Sequence, residues 1–134
     1  MPSSKSIYKI LLVDDDPDFV EATKVVLESR HDYSLLTASD GVFGLAIARA
    51  EQPDLIILDV LMPFEDGFET ARELKTDPAL SNIPIMMLTS FSQRRGETDV
   101  SVAKGLELEA EDYVEKPVEP QELLRRVDKI LHTC

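Results

Sequence analysis

Two hydrophobic periods alternate along the whole chain, and that alternation limits the fold more than any single residue does. Short apolar runs occupy residues 7–13, where Lys9 is the one charged member, 55–58 and 83–88. Runs of this length read as strands covered on both faces, the usual condition of a parallel sheet. Weaker strands are expected at residues 34–38 and 113–114. Between them the apolar residues recur with helical spacing. Phe19, Thr23, Val26 and Leu27 make one stripe, and Phe43, Ala46, Ile47 and Ala50 a second. Phe68, Ala71 and Leu74 make a third, while Leu123, Leu124, Val127, Ile130 and Leu131 make the clearest. Val102, Leu106 and Ala110 give only a thin stripe, interrupted by Gly105, and the irregular residues 91–97 before it are expected to be mobile. Asp16-Pro17 reads as an N-cap followed by proline at the first helical position, and Glu119-Pro120 repeats the pattern.

Strand and helix thus alternate five times. Short connections and right-handed crossovers then imply an α/β layer fold on a parallel sheet, and 134 residues fit one domain. Ligands of such sheets sit beyond the carboxyl ends of the strands, where strand order reverses. Composition narrows the function. With 14 basic against 26 acidic side chains the net charge is −12, which argues against direct nucleic-acid or anionic-membrane binding. Cys134 is the only cysteine, so no disulfide framework is expected, and a cytoplasmic location follows. No apolar run approaches the roughly 18 residues of a membrane span, and the first residues carry no stretch resembling a signal sequence.

The chemistry lies where the apolar runs stop. Asp14 and Asp15 follow the first strand, and Asp59 ends the third. If those strands are neighbours, three carboxylates meet at one edge. Each like-charge pair at about 4 Å then costs about 4 kcal/mol at an effective dielectric near 20. Such a cluster keeps a proton or holds a cation, and all-oxygen ligands favour a hard ion such as Mg²⁺. The simpler reading is that these acids only start a helix, where negative charge meets the positive end of its dipole. That reading suffices for Asp16 and Asp18; Asp14 and Asp15 are open to both. Thr89 and Ser90 end the fourth strand with hydroxyls, and Lys116, before Pro117, ends the fifth. Alone, each is an ordinary turn or edge residue. Together, carboxylates, hydroxyl and lysine on four strand ends supply what phosphoryl chemistry needs: nucleophile, metal ligands, hydrogen-bond donor and countercharge.

Four motifs in order, Val13-Asp14-Asp15, Asp59 through Met62-Pro63 to Asp66-Gly67, Leu88-Thr89-Ser90 and Glu115-Lys116-Pro117, resemble the receiver domain of two-component response regulators. The resemblance implies a flavodoxin-like (βα)5 fold with strand order 2-1-3-4-5 and helices on both faces. Residues 7–132 would form the receiver domain, after a tail of residues 1–6. It further implies that Asp59 accepts a phosphoryl group from a histidine kinase or histidine phosphotransfer protein. Mg²⁺ would be held by Asp15, Asp59 and the Leu61 backbone carbonyl, with Asp14 assisting through water. Thr89 and Lys116 would bind the phosphoryl oxygens, and Tyr113 would be the aromatic switch. The Lys116–Pro117 bond is expected to be cis. The fourth helix, fifth strand and fifth helix would signal to a downstream protein not identified by the sequence, and a phosphorylation-dependent dimer is compatible with that surface. Leu61 and Phe91, flanking the approach of water, imply a long-lived phosphorylated form. The domain would act as an enzyme only on its own aspartate.

The chain departs from the family pattern in one place. Thr89 and Lys116 stand 27 positions apart, a few more than usual, and Glu109 replaces the common glycine. Alternatives are a binding module that works without phosphorylation and, more remotely, an aspartyl hydrolase of the haloacid dehalogenase type. The first should lack acceptor, metal ligand or lysine; the second needs a later acidic pair that Asp128 alone does not supply. His31 and His132 read as surface histidines. With the last stripe ending at Leu131, the sequence reads as a stand-alone regulator or as a receiver taken from a larger protein.

Overall fold

Alternate side chains of the first strand point to opposite faces, and each face builds its own core. Ile10 and Leu12 join Leu27, Leu55, Ile57, Leu88, Leu123 and Val127, whereas Leu11 and Val13 join Leu45, Ala48, Ile56, Leu58, Ala71 and Leu74. A strand buried on both sides cannot alternate polar with apolar, which is why residues 8–13 are apolar but for Lys9, the exposed position of the strand. The computed structural model describes residues 6–60, 67–89 and 111–132. In chain order it contains β1 (Tyr8–Val13), α1 (Pro17–Leu27), β2 (Tyr33–Ala38), α2 (Gly41–Glu51), β3 (Leu55–Asp59), α3 (Gly67–Thr76), β4 (Ile85–Thr89), β5 (Asp112–Glu115) and α4 (Pro120–Leu131). The strands form one parallel sheet of order β2-β1-β3-β4-β5, as the motif resemblance implied. Helices α1 and α4 cover one face and pack on each other, and α2 and α3 do the same on the other. The thin stripe of Val102, Leu106 and Ala110 and the stretch 91–97 lie outside the described residues.

Local signals behave as their chemistry requires, with one exception. Asp16 caps α1 by accepting from the backbone N–H groups of Asp18 and Phe19, ahead of Pro17 in the first turn. Glu119 holds the equivalent place before α4, but its side chain makes no cap bond. Short Asp, Asn, Ser and Thr side chains suit that role, and glutamate is longer.

The second helix corrects the periodicity reading. Phe43 is 56% exposed, Ala46 and Ala50 also face solvent, and only Ile47 of that stripe is half-buried. The helix instead turns Gly41, Gly44, Leu45 and Ala48 to the sheet. Its backbone comes so close to β1 that a Cβ on Gly44 would lie 2.8 Å from Val13 Cγ2. Small residues are selected there by distance, not by hydrophobicity. Gly44→Ala should therefore lower unfolding stability by about 1 kcal/mol, because overpacking costs about 1–3 kcal/mol and helix propensity returns only about 1. In a Val13→Ala background the same change should become stabilising in urea titration. Equal destabilisation in both backgrounds would refute the contact as its cause.

Candidate functional site

Strand register brings the polar ends together. Val13 pairs with Leu58, Asp59 with Leu88 and Thr89 with Glu115, so the ends of β1, β3, β4 and β5 lie side by side. Backbone bonds extend the ladders one residue further: Asp14 N–H donates to Ala38 O at 3.0 Å, and Lys116 N–H to Thr89 O at 2.6 Å. The Lys116–Pro117 peptide is cis, as expected. Asp14 and Asp59 are only 2% and 4% exposed, while Asp15 faces solvent.

One carboxylate oxygen from each of Asp14, Asp15 and Asp59 lies within 4.8 Å of the others. The Lys116 ammonium reaches across them, 3.1 Å from Asp14 Oδ2 and 3.6 Å from Asp59 Oδ2. The other oxygen of Asp14 accepts from Asp16 N–H at 2.9 Å. Three hard oxygen donors in reach of one point, against a single ammonium, fit a small dication such as Mg²⁺. The donor set therefore agrees with the metal that the motifs imply.

Burial shows in the acid itself. The Asp14 carboxyl is pushed up to about 6. Burial is the largest cause; the Asp16 N–H bond and Lys116 oppose it, and the charge of Asp59 adds to it. Burial alone would lower the Lys116 ammonium, but Asp59 and Asp14 outweigh it and hold the ammonium above its usual range.

Thr89 is buried at the end of β4, where its hydroxyl donates to Val114 O over a long 3.5 Å. Tyr113 is half-buried and packs against the α2–α3 core. Leu61, Ser90, Phe91 and Glu109 lie outside the described residues. Asp128 is far from the carboxyl edge. It accepts from Tyr33 OH at 2.6 Å and from Arg30 Nη1 at 3.0 Å, beside the start of β2. It cannot serve as the acidic partner that a dehalogenase-type hydrolase requires. His31 is exposed; His132 is exposed too, but its Nε2 lies 3.0 Å from the same Tyr33 hydroxyl. One contact escaped the sequence reading: the Phe19 ring lies over Lys116, with Nζ 4.6 Å from its centroid. Its position in the first turn of α1, four residues after Asp15, could have signalled it.

A five-stranded parallel sheet carrying an acidic pocket and one lysine at its carboxyl edge is the architecture of a receiver-type signalling domain. The chain belongs to the response regulator receiver domain family, whose family model matches residues 10–128. It is 42% identical over 123 residues to the alkaline phosphatase synthesis transcriptional regulatory protein PhoP of Bacillus subtilis, covering 92% of this chain and 48% of that protein. It is 37% identical to protein PilH of Pseudomonas aeruginosa, covering 92% of this chain and 97% of the relative. The chain thus spans about half the length of the transcriptional relatives it matches and nearly all of PilH. Among solved structures, a putative response regulator of Chloroflexus aurantiacus superposes with a TM-score of 0.79 at 34% identity, over 93% of this chain and 98% of the other. The receiver domain of a Pseudomonas aeruginosa sensor histidine kinase, with a magnesium ion coordinated in its active-site cleft, gives 0.76 at 26% identity, over 93% and 98%. Receiver domains are signalling modules of two-component systems, and the relatives include DNA-binding regulators. Among the described residues, no helix is long and apolar enough to cross a membrane.

The raised Asp14 value fixes a pH dependence. A carboxyl with a raised folded value binds protons more readily folded than unfolded. Its contribution to stability is therefore fully present in acid and is lost as pH rises through about 6. Without divalent cations, the melting temperature of Asp14→Asn relative to the parent should rise between about pH 4 and pH 7. A difference that stays flat across that range overturns the raised value.

Proposed function

We propose that residues 7–132 form a receiver domain that takes a phosphoryl group on Asp59 from a histidine kinase or histidine phosphotransfer protein. The observation that carries this reading is the buried Asp59–Asp14 pair with the Lys116 ammonium bridging both. Mg²⁺ would be held by Asp15, Asp59 and the Leu61 carbonyl, with Asp14 assisting indirectly. When bound, the ion supplies charge neutralisation and orients the transferring phosphoryl oxygens.

The chain's own residues do the rest. A carboxylate oxygen of Asp59 attacks phosphorus, and the imidazole nitrogen of the donor leaves. Lys116 stays close to Asp59 and offsets the charge gained there. Phosphorylation adds roughly −1.5 to −2 charge at this edge. The Thr89 hydroxyl gives up its long bond to Val114 O for a phosphoryl oxygen, and Tyr113 turns into the space released. The fourth helix expected before β5, β5 itself and α4 then present the changed surface to a downstream protein, or to a second copy in a phosphorylation-dependent dimer. The acidic balance supports a protein partner over direct nucleic-acid contact, and a cytoplasmic setting suits kinase and acceptor alike. Catalysis is confined to phosphorylation and dephosphorylation of its own aspartate.

Incubated with Mg²⁺ and acetyl phosphate, the protein should gain one base-labile phosphoryl group by intact mass, and Asp59→Asn should gain none. Full labelling of that mutant would overturn the acceptor. By calorimetry, Asp15→Ala should weaken Mg²⁺ binding by at least about tenfold, or 1.4 kcal/mol, and more than Asp14→Ala does. Parent-like affinity in Asp15→Ala would remove it from the metal site.

A further inference from the structure

A closed ring of contacts surrounds the Lys116 ammonium. Asp14 accepts from Asp16 N–H with one oxygen and from Lys116 Nζ with the other. Asp16 in turn accepts from Phe19 N–H at 3.4 Å, which ties the first turn of α1 to the same cap. The Phe19 ring returns to Nζ at 4.6 Å from its centroid, so the circuit closes on the lysine. The Lys116 side chain is only 18% exposed, and Phe19 is half-buried against the α1–α4 core. A ring face attracts a cation electrostatically, and more strongly where water is excluded. A lysine side chain is also long and rotamer-rich, so a fixed apolar wall reduces the places its head can go.

We propose that Phe19 is the positioning residue for the Lys116 ammonium, holding it against Asp14 and Asp59 and closing one side of it to water. The role in signalling rests on Lys116 being the countercharge for the phosphoryl group; the pairing of ring and lysine does not. The aromatic face is the active feature, since an aliphatic side chain of similar bulk would fill the space without attracting the charge. Tyrosine keeps the face, and leucine removes it.

Two measurements test this on the full chain. By NMR, the ring current should place the Lys116 ε-methylene protons upfield of those of the other lysines, and Phe19→Leu should abolish that shift. With acetyl phosphate and Mg²⁺, Phe19→Leu should be phosphorylated about threefold more slowly than the parent, and Phe19→Tyr at the parental rate. An unshifted Lys116 in the parent overturns the proposal. So does a Phe19→Leu rate equal to the parent's, or a Phe19→Tyr as slow as Phe19→Leu, which would mean that packing alone matters. A parent that takes no label yet shows the upfield shift sustains the pairing and removes Asp59 as acceptor instead.

Discussion

Like charges forced together at the carboxyl edge of the sheet are the constraint around which this site is organised. Parallel pairing of β1 with β3 leaves Asp14 and Asp59 no freedom to separate, because Val13 and Leu58 are already locked in register. Both acids are buried, so water cannot dissipate the repulsion. A proton on Asp14, the Lys116 ammonium and a bound cation are the three available reliefs. Burial, with a smaller contribution from Asp59, raises Asp14 toward the first, and the contacts of Nζ supply the second. Only the third can neutralise more than one charge at once. Cores on both faces of the sheet supply the stability against which this local cost is set.

The strands were legible in the sequence because burial on both faces leaves largely apolar runs, and the convergence of the candidate residues was legible because each run stops at a polar residue that the next strand lines up. Asp14, Asp59, Thr89 and Lys116 share this logic. The phase of α2 was not legible. Periodicity weights large apolar side chains, so Phe43 and Ile47 seemed to mark the inner face. Packing selected Gly41, Gly44 and Ala48 because the helix axis must approach Val13 closely. A stripe of small residues beside a more hydrophobic one is a signal for close approach, and here it was the correct one. Phe19 was hidden for another reason. It belongs at once to the α1 stripe and to the site, and one role masked the other.

The proposed switch depends on bonds that are easily exchanged. Thr89 is buried, yet its hydroxyl makes only a long bond to Val114 O. A buried hydroxyl so held loses little when a better acceptor arrives, and a charged phosphoryl oxygen is a better acceptor. Tyr113 sits on β5 opposite Met87, two positions before the partner of Thr89, so movement at one is felt along the same strand pair. The neighbouring ion pairs are less yielding. Arg126 holds both oxygens of Asp112 at 2.9 and 3.0 Å, tying the start of β5 to α4. Anchoring of Asp112 at one end of β5, against the long Thr89 hydroxyl bond near the other, directs any change to the site end.

The two ends of the sheet treat the same residue type in opposite ways. Near the start of β2, Asp128 accepts from two Arg30 nitrogens and the Tyr33 hydroxyl, with His132 closing the group. Burial and the nearby carboxylate both hold the Tyr33 hydroxyl to its proton. With three donors on its two oxygens, that aspartate fastens α4 to the loop between α1 and β2. At the other end, Asp14 and Asp59 share the Lys116 ammonium, with a carboxylate oxygen of Asp15 within 4.8 Å of theirs. Asp128 is thus fastened within the fold, whereas Asp14, Asp15 and Asp59 each turn one oxygen toward a common point. Convergence of like charges, which costs free energy and fastens nothing by itself, is the feature on which the proposed cation site rests.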